Sequence, residues 1–314
     1  MQKGDSMKLL ITGSAGLIGS ALSTSLSKLG IEVIGIDIGV ETQHEDYGDI
    51  LDYNRVSEAA SQVDGIIHLA AVSRVIFGEK KPKLCWETNV EGTKQVLEAA
   101  LDSPKKPWVL YASSREVYGQ QEHLPVKETA PLIPVNIYGE SKIAAEKAVE
   151  EGIKKGLKGS IVRFSNVFGS VYDHHDRVIP AFCAAAARGL NIRIDGRDNL
   201  FDFTFIDDVV QGILSYIYAL NKSVVSLPPI HLTTGHAVSL EEVASYAQEA
   251  SIYDIEIIEA PSRSFDVSKF SGDTSRAKDL LKWEACVHIR EGINRLINQF
   301  RLFSDVNYPE YVSA

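Results

Sequence analysis

The sequence predicts an α/β protein, in which a doubly wound parallel sheet is followed by a smaller, mixed α/β C-terminal domain. Short apolar runs alternate with amphipathic helical patterns through the first half of the chain, which is typical of a parallel sheet covered by helices. A glycine-rich turn separates the first apolar run from the first helical pattern. The 314 residues, 45% of them hydrophobic and 24% charged, have a globular composition and the length of about two domains.

Strands and helices follow one another in the first half. Strands buried on both faces are predicted from short continuous apolar runs, which here are Lys8–Thr12, Glu32–Asp37, Gly65–Leu69, Pro107–Ala112 and Ser160–Phe164. Helices are predicted where apolar residues recur at helical spacing, which occurs in Leu17–Leu29, Arg55–Gln62, Pro82–Leu101 and Tyr138–Lys155. This alternation predicts a first domain over residues 1–169.

After Gly169 the predicted elements become shorter and less regular. Helical patterns recur at Ile179–Arg188, Asp207–Leu220, Leu240–Glu249, Thr274–Leu281 and Ile289–Gln299. Strand patterns occur at Ile230–Thr234 and Ile255–Ile258. We therefore expect a second domain over residues 170–314, with segments around 201–235 returning to the first domain.

The charge balance and the targeting features exclude several classes of partner. Lys and Arg number 32 against 42 Asp and Glu, and this net charge of −10 argues against nucleic acid or an anionic membrane as a partner. No run approaches the ~20 apolar residues of a membrane helix, and residues 1–6 lack the apolar core of a signal peptide. Cys85, Cys183 and Cys286 lack the spacing of a disulfide framework or a zinc site. We expect three buried thiols, no metal and a cytoplasmic protein.

The turn after the first strand has the spacing G-x-x-G-x-x-G, with glycines at 13, 16 and 19. A tight turn, a backbone approach to a pyrophosphate and close packing of helix on sheet all require glycine. The N–H groups of the following helix can then bind phosphate. Three turn and packing glycines without a ligand are the structural alternative. The motif favours a Rossmann-type, dinucleotide-binding first domain.

Asp37 ends the second predicted strand, where a carboxylate can accept hydrogen bonds from the ribose diol of an adenosine. The same carboxylate repels a 2′-phosphate, so that NAD is favoured over NADP. Asp49 and Ile50 are candidates to flank the adenine, although a lone Asp in a loop is also an ordinary solvated turn residue. These residues extend the predicted cofactor site beyond the glycine turn.

Tyr138 and Lys142 lie at positions i and i+4 at the start of a predicted helix, and therefore on one face. A free phenol, with a pKa of about 10, is a poor base at neutral pH. We expect the neighbouring ammonium, together with the positive nicotinamide of an oxidised cofactor, to lower the pKa of Tyr138 and to make it an acid/base group.

With these motifs the sequence resembles the extended short-chain dehydrogenase/reductases that act on nucleotide sugars. The matching segments run through nearly the whole chain: Gly13/Gly16/Gly19, Asp37, His68–Ala71, Asn89–Thr93, Ser113–Gly119, Tyr138/Lys142, Arg163–Gly169, Ile206–Asp208 and Leu281–Trp283. Each motif is weak alone, but the ordered set is specific.

The resemblance implies the roles of the site residues. Tyr138 would take the proton of the sugar hydroxyl, Lys142 would hold the nicotinamide ribose, and Ser114 would hydrogen-bond the reacting oxygen. Hydride would pass from C4 of the sugar to tightly held NAD⁺ and give a transient 4-keto sugar. The implied cofactor contacts are Gly13, Gly16, Leu17, Ile18, Asp37, Asp49, Ile50, Leu69, Ala70, Ala71, Tyr138 and Lys142. A nucleotide-diphosphate sugar is the implied partner, and a homodimer through Pro82–Leu101 and Tyr138–Lys155 the implied assembly.

The reaction that follows oxidation is left open by Arg115 and Glu116. We favour 4-epimerisation. Glu116 could instead act in a decarboxylase, with Arg115 pairing to a substrate carboxylate, or as the C5 base of a 4,6-dehydratase. Arg115 cannot supply the general acid of a standard dehydratase, because a guanidinium stays protonated. An ordinary loop ion pair between the two is the structural alternative. A non-catalytic NAD-sensing protein is disfavoured, because that class lacks the Tyr-x-x-x-Lys pair.

The resemblance also implies a substrate-binding set. Ser73 and Arg74 occupy positions that contact the sugar, while Asn166 and Arg263 match groups that bind the diphosphate. The family's second diphosphate arginine is replaced here by Phe201. Arg197 or Arg193, from the same loop, is the expected substitute, and weaker binding of the diphosphate is the alternative.

Overall fold

The computed structural model describes residues 7–260 and 267–303. Its strands are β1 Lys8–Thr12, β2 Glu32–Ile36, β3 Gly65–His68, β4 Trp108–Ser114, β5 Gly159–Phe164, β6 Asn166–Phe168, β7 Ile192–Asp195, β8 Leu200–Phe205, β9 Ile230–Leu232, β10 Ala237–Ser239 and β11 Ile257–Ala260. Its α-helices are α1 Leu17–Lys28, α2 Tyr53–Ala60, α3 Val75–Lys80, α4 Pro82–Trp86, α5 Thr93–Asp102, α6 Ile137–Lys154, α7 Val178–Arg188, α8 Ile206–Lys222, α9 Leu240–Ala250, α10 Ser275–Leu281 and α11 Ile289–Leu302.

A six-stranded sheet with the order β2-β1-β3-β4-β5-β9 forms the centre of the molecule, and all of its neighbouring strands are parallel. Successive residues of β1 pack on opposite faces. Leu9 and Ile11 belong to a core that includes side chains of α1 and α8, whereas Leu10 packs with side chains of α2, α5 and α6. Helices thus cover both faces, and the predicted doubly wound, Rossmann-type α/β fold is confirmed.

The second half adds two small sheets, with the orders β10-β8-β6 and β11-β7. Within the segment 201–235, β9 joins the central sheet, while β8 pairs with β6 and β10. The sequence analysis missed β8, although its Phe residues at 201, 203 and 205 alternate as in a strand. The domain division itself stays a prediction.

Two other expectations differ from the structure. The segment Pro82–Leu101, expected as one helix, is interrupted by a π-helical turn over Glu87–Gly92. Cys85 and Cys183 are buried as expected, but Cys286 is exposed. None of the helices in the described part of the chain is long and apolar enough to cross a membrane.

Candidate active site

A cavity of about 1890 Å³ lies at the carboxyl ends of β1, β3 and β4 and extends to the second half of the chain. In a parallel sheet, ligands bind at this edge. The cavity wall includes all of the residues expected to contact the cofactor: Gly13, Gly16, Leu17, Ile18, Asp37, Asp49, Ile50, Leu69, Ala70, Ala71, Tyr138 and Lys142. It also includes the candidates Ser73, Arg74, Ser114, Arg115, Glu116 and Asn166.

The glycine turn forms a backbone cradle that side chains would fill. Gly13 has a φ of +74°, and a Cβ there would lie 2.7 Å from the Ala70 nitrogen. A Cβ on Gly19 would lie 2.1 Å from the Gly13 carbonyl oxygen. Helix α1 begins after Gly16 with no side-chain cap and no acidic residue in its first turn. Its first N–H groups are therefore suited to a pyrophosphate, and these residues fit a dinucleotide.

Asp37 connects the end of β2 to the glycine turn. Its carboxylate accepts hydrogen bonds from the backbone N–H groups of Ala15, at 2.9 Å, and Gly39, at 2.6 Å. Asp49 accepts a hydrogen bond from the Leu51 N–H at 2.9 Å, so it stabilises a turn as well as lining the cavity. Both carboxylates are held in place by backbone donors.

Ser114, Tyr138 and Lys142 meet at the centre of the cavity wall. Asn136 caps α6 by accepting a hydrogen bond from the Gly139 N–H, which fixes the helix start beside Ser114 at the end of β4. The Ser114 side chain lies near enough to the Tyr138 phenol to act on its pKa, and both residues line the cavity. The Lys142 ammonium donates to the Ala112 carbonyl oxygen at 2.8 Å and lies 5.8 Å from the centroid of the Tyr138 ring.

The proton affinities of this group are set mainly by burial. Burial raises the pKa of Tyr138 to about 12, while the nearby Ser114 hydroxyl and the Arg177 charge act to lower it. Burial also lowers the pKa of Lys142 to about 8. Desolvation of the phenol is therefore the largest influence on its pKa in the structure. The expected lowering by Lys142 together with an oxidised nicotinamide stays a prediction.

The lowered pKa of Lys142 predicts a pH-dependent stability. The unfolded chain binds more protons at this residue than the folded protein between pH 8 and 10.5, so stability rises with pH across that window. Relative to Lys142→Met, the wild type should gain on the order of 3 kcal/mol over this range. Urea unfolding of both proteins at several pH values, without added dinucleotide, measures the difference. A difference that does not change with pH would contradict the assignment.

Glu116 and Arg115 form a buried ion pair behind Ser114. The Arg115 Nη2 lies 3.0 Å from the Glu116 Oε1, and the Asn136 amide donates to the Glu116 Oε2 at 2.9 Å. Both carboxylate oxygens of Glu116 are therefore bound within the protein. The loop ion pair considered as the structural alternative is present, and Glu116 nevertheless lines the cavity.

The expected diphosphate arginines are not assembled as the sequence suggested. Arg197 pairs with Glu241 and Glu259, and it does not line the cavity. Arg193 lines the cavity and pairs with Asp195. Arg263 lies outside the described residues. The guanidinium of Arg115, in contrast, lies 4.5 Å from the centroid of the Phe201 ring.

The sequence analysis missed a charged segment between β6 and α7. Asp173, Asp176 and Arg177 line the cavity, and Asp176 forms an ion pair with Arg74 from the loop after β3. The run of ionisable residues after the end of β6 was the sequence signal that could have identified this segment as part of the site. This segment forms part of the cavity wall and brings the Arg177 charge near Tyr138.

Comparison with known proteins agrees with this geometry. Residues 9–226 match the model of the NAD dependent epimerase/dehydratase family. The chain belongs to this family. It is 30% identical to the UDP-glucose 4-epimerase of Lacticaseibacillus casei, over 88% of this chain and 92% of that protein.

Two further similar proteins are a decarboxylase and a protein solved with a nucleotide sugar and NAD. A UDP-N-acetyl-alpha-D-glucosaminuronate decarboxylase of Bacillus cytotoxicus is 30% identical, over 94% of this chain and 98% of that protein. The solved structure of MoeE5 in complex with UDP-glucuronic acid and NAD has a TM-score of 0.86 and 28% identity, and the match covers 94% of this chain and 99% of that one.

Proposed function

We propose that this protein is an NAD-dependent nucleotide-sugar 4-epimerase that acts through a transient 4-keto sugar. The observation that carries the proposal is the convergence of Ser114, Tyr138 and Lys142 beside the glycine cradle, in one cavity that continues into the second half of the chain. NAD, when bound, supplies a hydride acceptor for C4 of the sugar.

The protein residues then have separate tasks. Tyr138 accepts the proton of the C4 hydroxyl and returns it when the ketone is reduced. Ser114 orients that oxygen through its hydroxyl. Lys142 holds the nicotinamide ribose, and its charge favours the phenolate over the phenol. Ser73, Arg74 and Asn166 would contact the substrate from the facing wall.

The organisation of the molecule is part of the proposal. Residues 1–169, with the return segments around 201–235, would bind NAD, and residues 170–314 would bind the nucleotide sugar. A homodimer would form through α4, α5 and α6, since Leu84 and Trp86 of α4 are 45% and 42% exposed. We propose a cytoplasmic location because Cys85 and Cys183 are free, buried thiols, as is usual in a reducing compartment.

The deciding experiment is product identification by NMR. The purified protein with NAD is incubated separately with UDP-glucose, UDP-glucuronate and dTDP-glucose. A 4-epimer of one of these sugars supports the proposal. A pentose with release of CO₂ would assign a decarboxylase, and a 4-keto-6-deoxy sugar a dehydratase. Tight NAD binding without turnover of any probe would favour a non-catalytic sensor.

A further inference from the structure

The Arg115 guanidinium is held in a buried but incompletely satisfied position at the cavity wall. Its side chain is 10% exposed, and its charge is balanced by Glu116. Its carbon Cζ lies 4.5 Å from the centroid of the Phe201 ring and 6.0 Å from that of Phe270. These contacts place the guanidinium where the segment after Ser114, at the end of β4, meets β8 in the second half of the chain.

One nitrogen of this guanidinium lacks a hydrogen-bond partner in the described part of the chain. The Arg115 Nη1 is buried and has no hydrogen-bond partner within residues 7–260 and 267–303. A buried donor without an acceptor is costly, and in native proteins it indicates a group that is satisfied when a ligand or water arrives. In the structure Glu116 is bonded by the other donors, Arg115 Nη2 and the Asn136 amide, and not by Nη1.

We infer that Arg115 binds an oxyanion of the substrate, an inference that rests on the proposed function. A guanidinium presents planar donors that match phosphate and carboxylate oxygens. The contact between the Arg115 guanidinium and the Phe201 ring is not a hydrogen bond and does not fix the guanidinium in one orientation. A small shift of the guanidinium across the ring face therefore brings Nη1 to a ligand oxygen. Two groups of a nucleotide sugar have this chemistry: the diphosphate, and the carboxylate of a uronic acid.

The test measures binding to the NAD-loaded protein by calorimetry with UDP, UDP-glucose and UDP-glucuronate. The variants are Arg115→Lys and Arg115→Met, together with Arg115→Met/Glu116→Gln, which removes both buried charges. Arg290→Met is the matched control, since Arg290 also pairs with a carboxylate, Glu249, and lies on an aromatic ring, Tyr246, but does not line the cavity. Thermal unfolding checks that each variant is folded.

We expect both Met variants to weaken binding by about tenfold or more, with Arg115→Lys intermediate and Arg290→Met unchanged. Equal losses for all three probes assign the diphosphate, and a loss confined to UDP-glucuronate assigns the carboxylate. Folded Met variants that bind every probe as the wild type does would overturn the inference while leaving the proposed function intact. A wild type that binds none of these probes and also fails to turn over dTDP-glucose would instead overturn the proposed function, and this inference with it.

Discussion

Replacing Tyr138 by Phe is expected to reduce turnover of the nucleotide sugar by about 10²–10⁴-fold, because the variant has no group to exchange a proton with the C4 oxygen. The aromatic ring remains, and so does its packing, since residue 138 is only 8% exposed in the wild type. NAD binding should persist, since the glycine turn and Asp37 are unchanged. Turnover is measured by NMR or a coupled assay, and bound NAD by extraction and chromatography.

Tyr216→Phe is the matched control for this variant. The Tyr216 side chain is buried, its hydroxyl bonds to the Ile161 carbonyl oxygen at 3.2 Å, and it does not line the cavity. Loss of that hydroxyl should lower stability slightly and leave the rate per folded molecule unchanged. A Tyr138→Phe enzyme with the wild-type rate would remove Tyr138 from the mechanism, whereas loss of NAD would show that Tyr138 acts in binding.

Those parts of the site that depend on local patterns could be predicted from the sequence. Gly13 follows and Asp37 ends a predicted strand, whereas Tyr138 lies at the start of a predicted helix; parallel strands bring their carboxyl ends to one edge, where the helices that follow them begin. Their meeting in one cavity therefore follows from the order of elements alone. The central sheet was predictable for the same reason, because its strands are continuous apolar runs.

Features that depend on tertiary contacts could not be predicted in this way. Nothing in the sequence near Arg115 indicates that its guanidinium would lie on Phe201, since this contact joins the loop after β4 to β8. Arg197 has the expected residue type, but two carboxylates on other elements bind it outside the cavity. The burial that raises the pKa of Tyr138 could not be predicted either, because the i, i+4 spacing shows the neighbouring charge but not the desolvation of the phenol.

A large loss of stability is expected from Arg163→Met, on the order of 3–5 kcal/mol. The Arg163 guanidinium donates to both carboxylate oxygens of Glu146, at 2.8 and 2.6 Å, and both side chains are at least 96% buried, with 4% and 3% exposed. Its Nη1 also donates to the Tyr118 hydroxyl at 2.7 Å. Removing the cation leaves the Glu146 carboxylate charged, buried and without its partner.

The comparison of three variants separates this charge effect from simple loss of packing. Arg163→Met/Glu146→Gln removes both charges and should recover part of the stability lost in Arg163→Met, measured by urea unfolding. Arg295→Met breaks exposed pairs with Asp207 and Glu291 and should cost less than about 1 kcal/mol. Since Glu146 lies one turn beyond Lys142 on α6, the double variant also reports whether this pair positions the lysine. If it does, turnover falls even where stability is recovered. Equal losses of stability in Arg163→Met and in the double variant would instead assign the whole stability effect to packing.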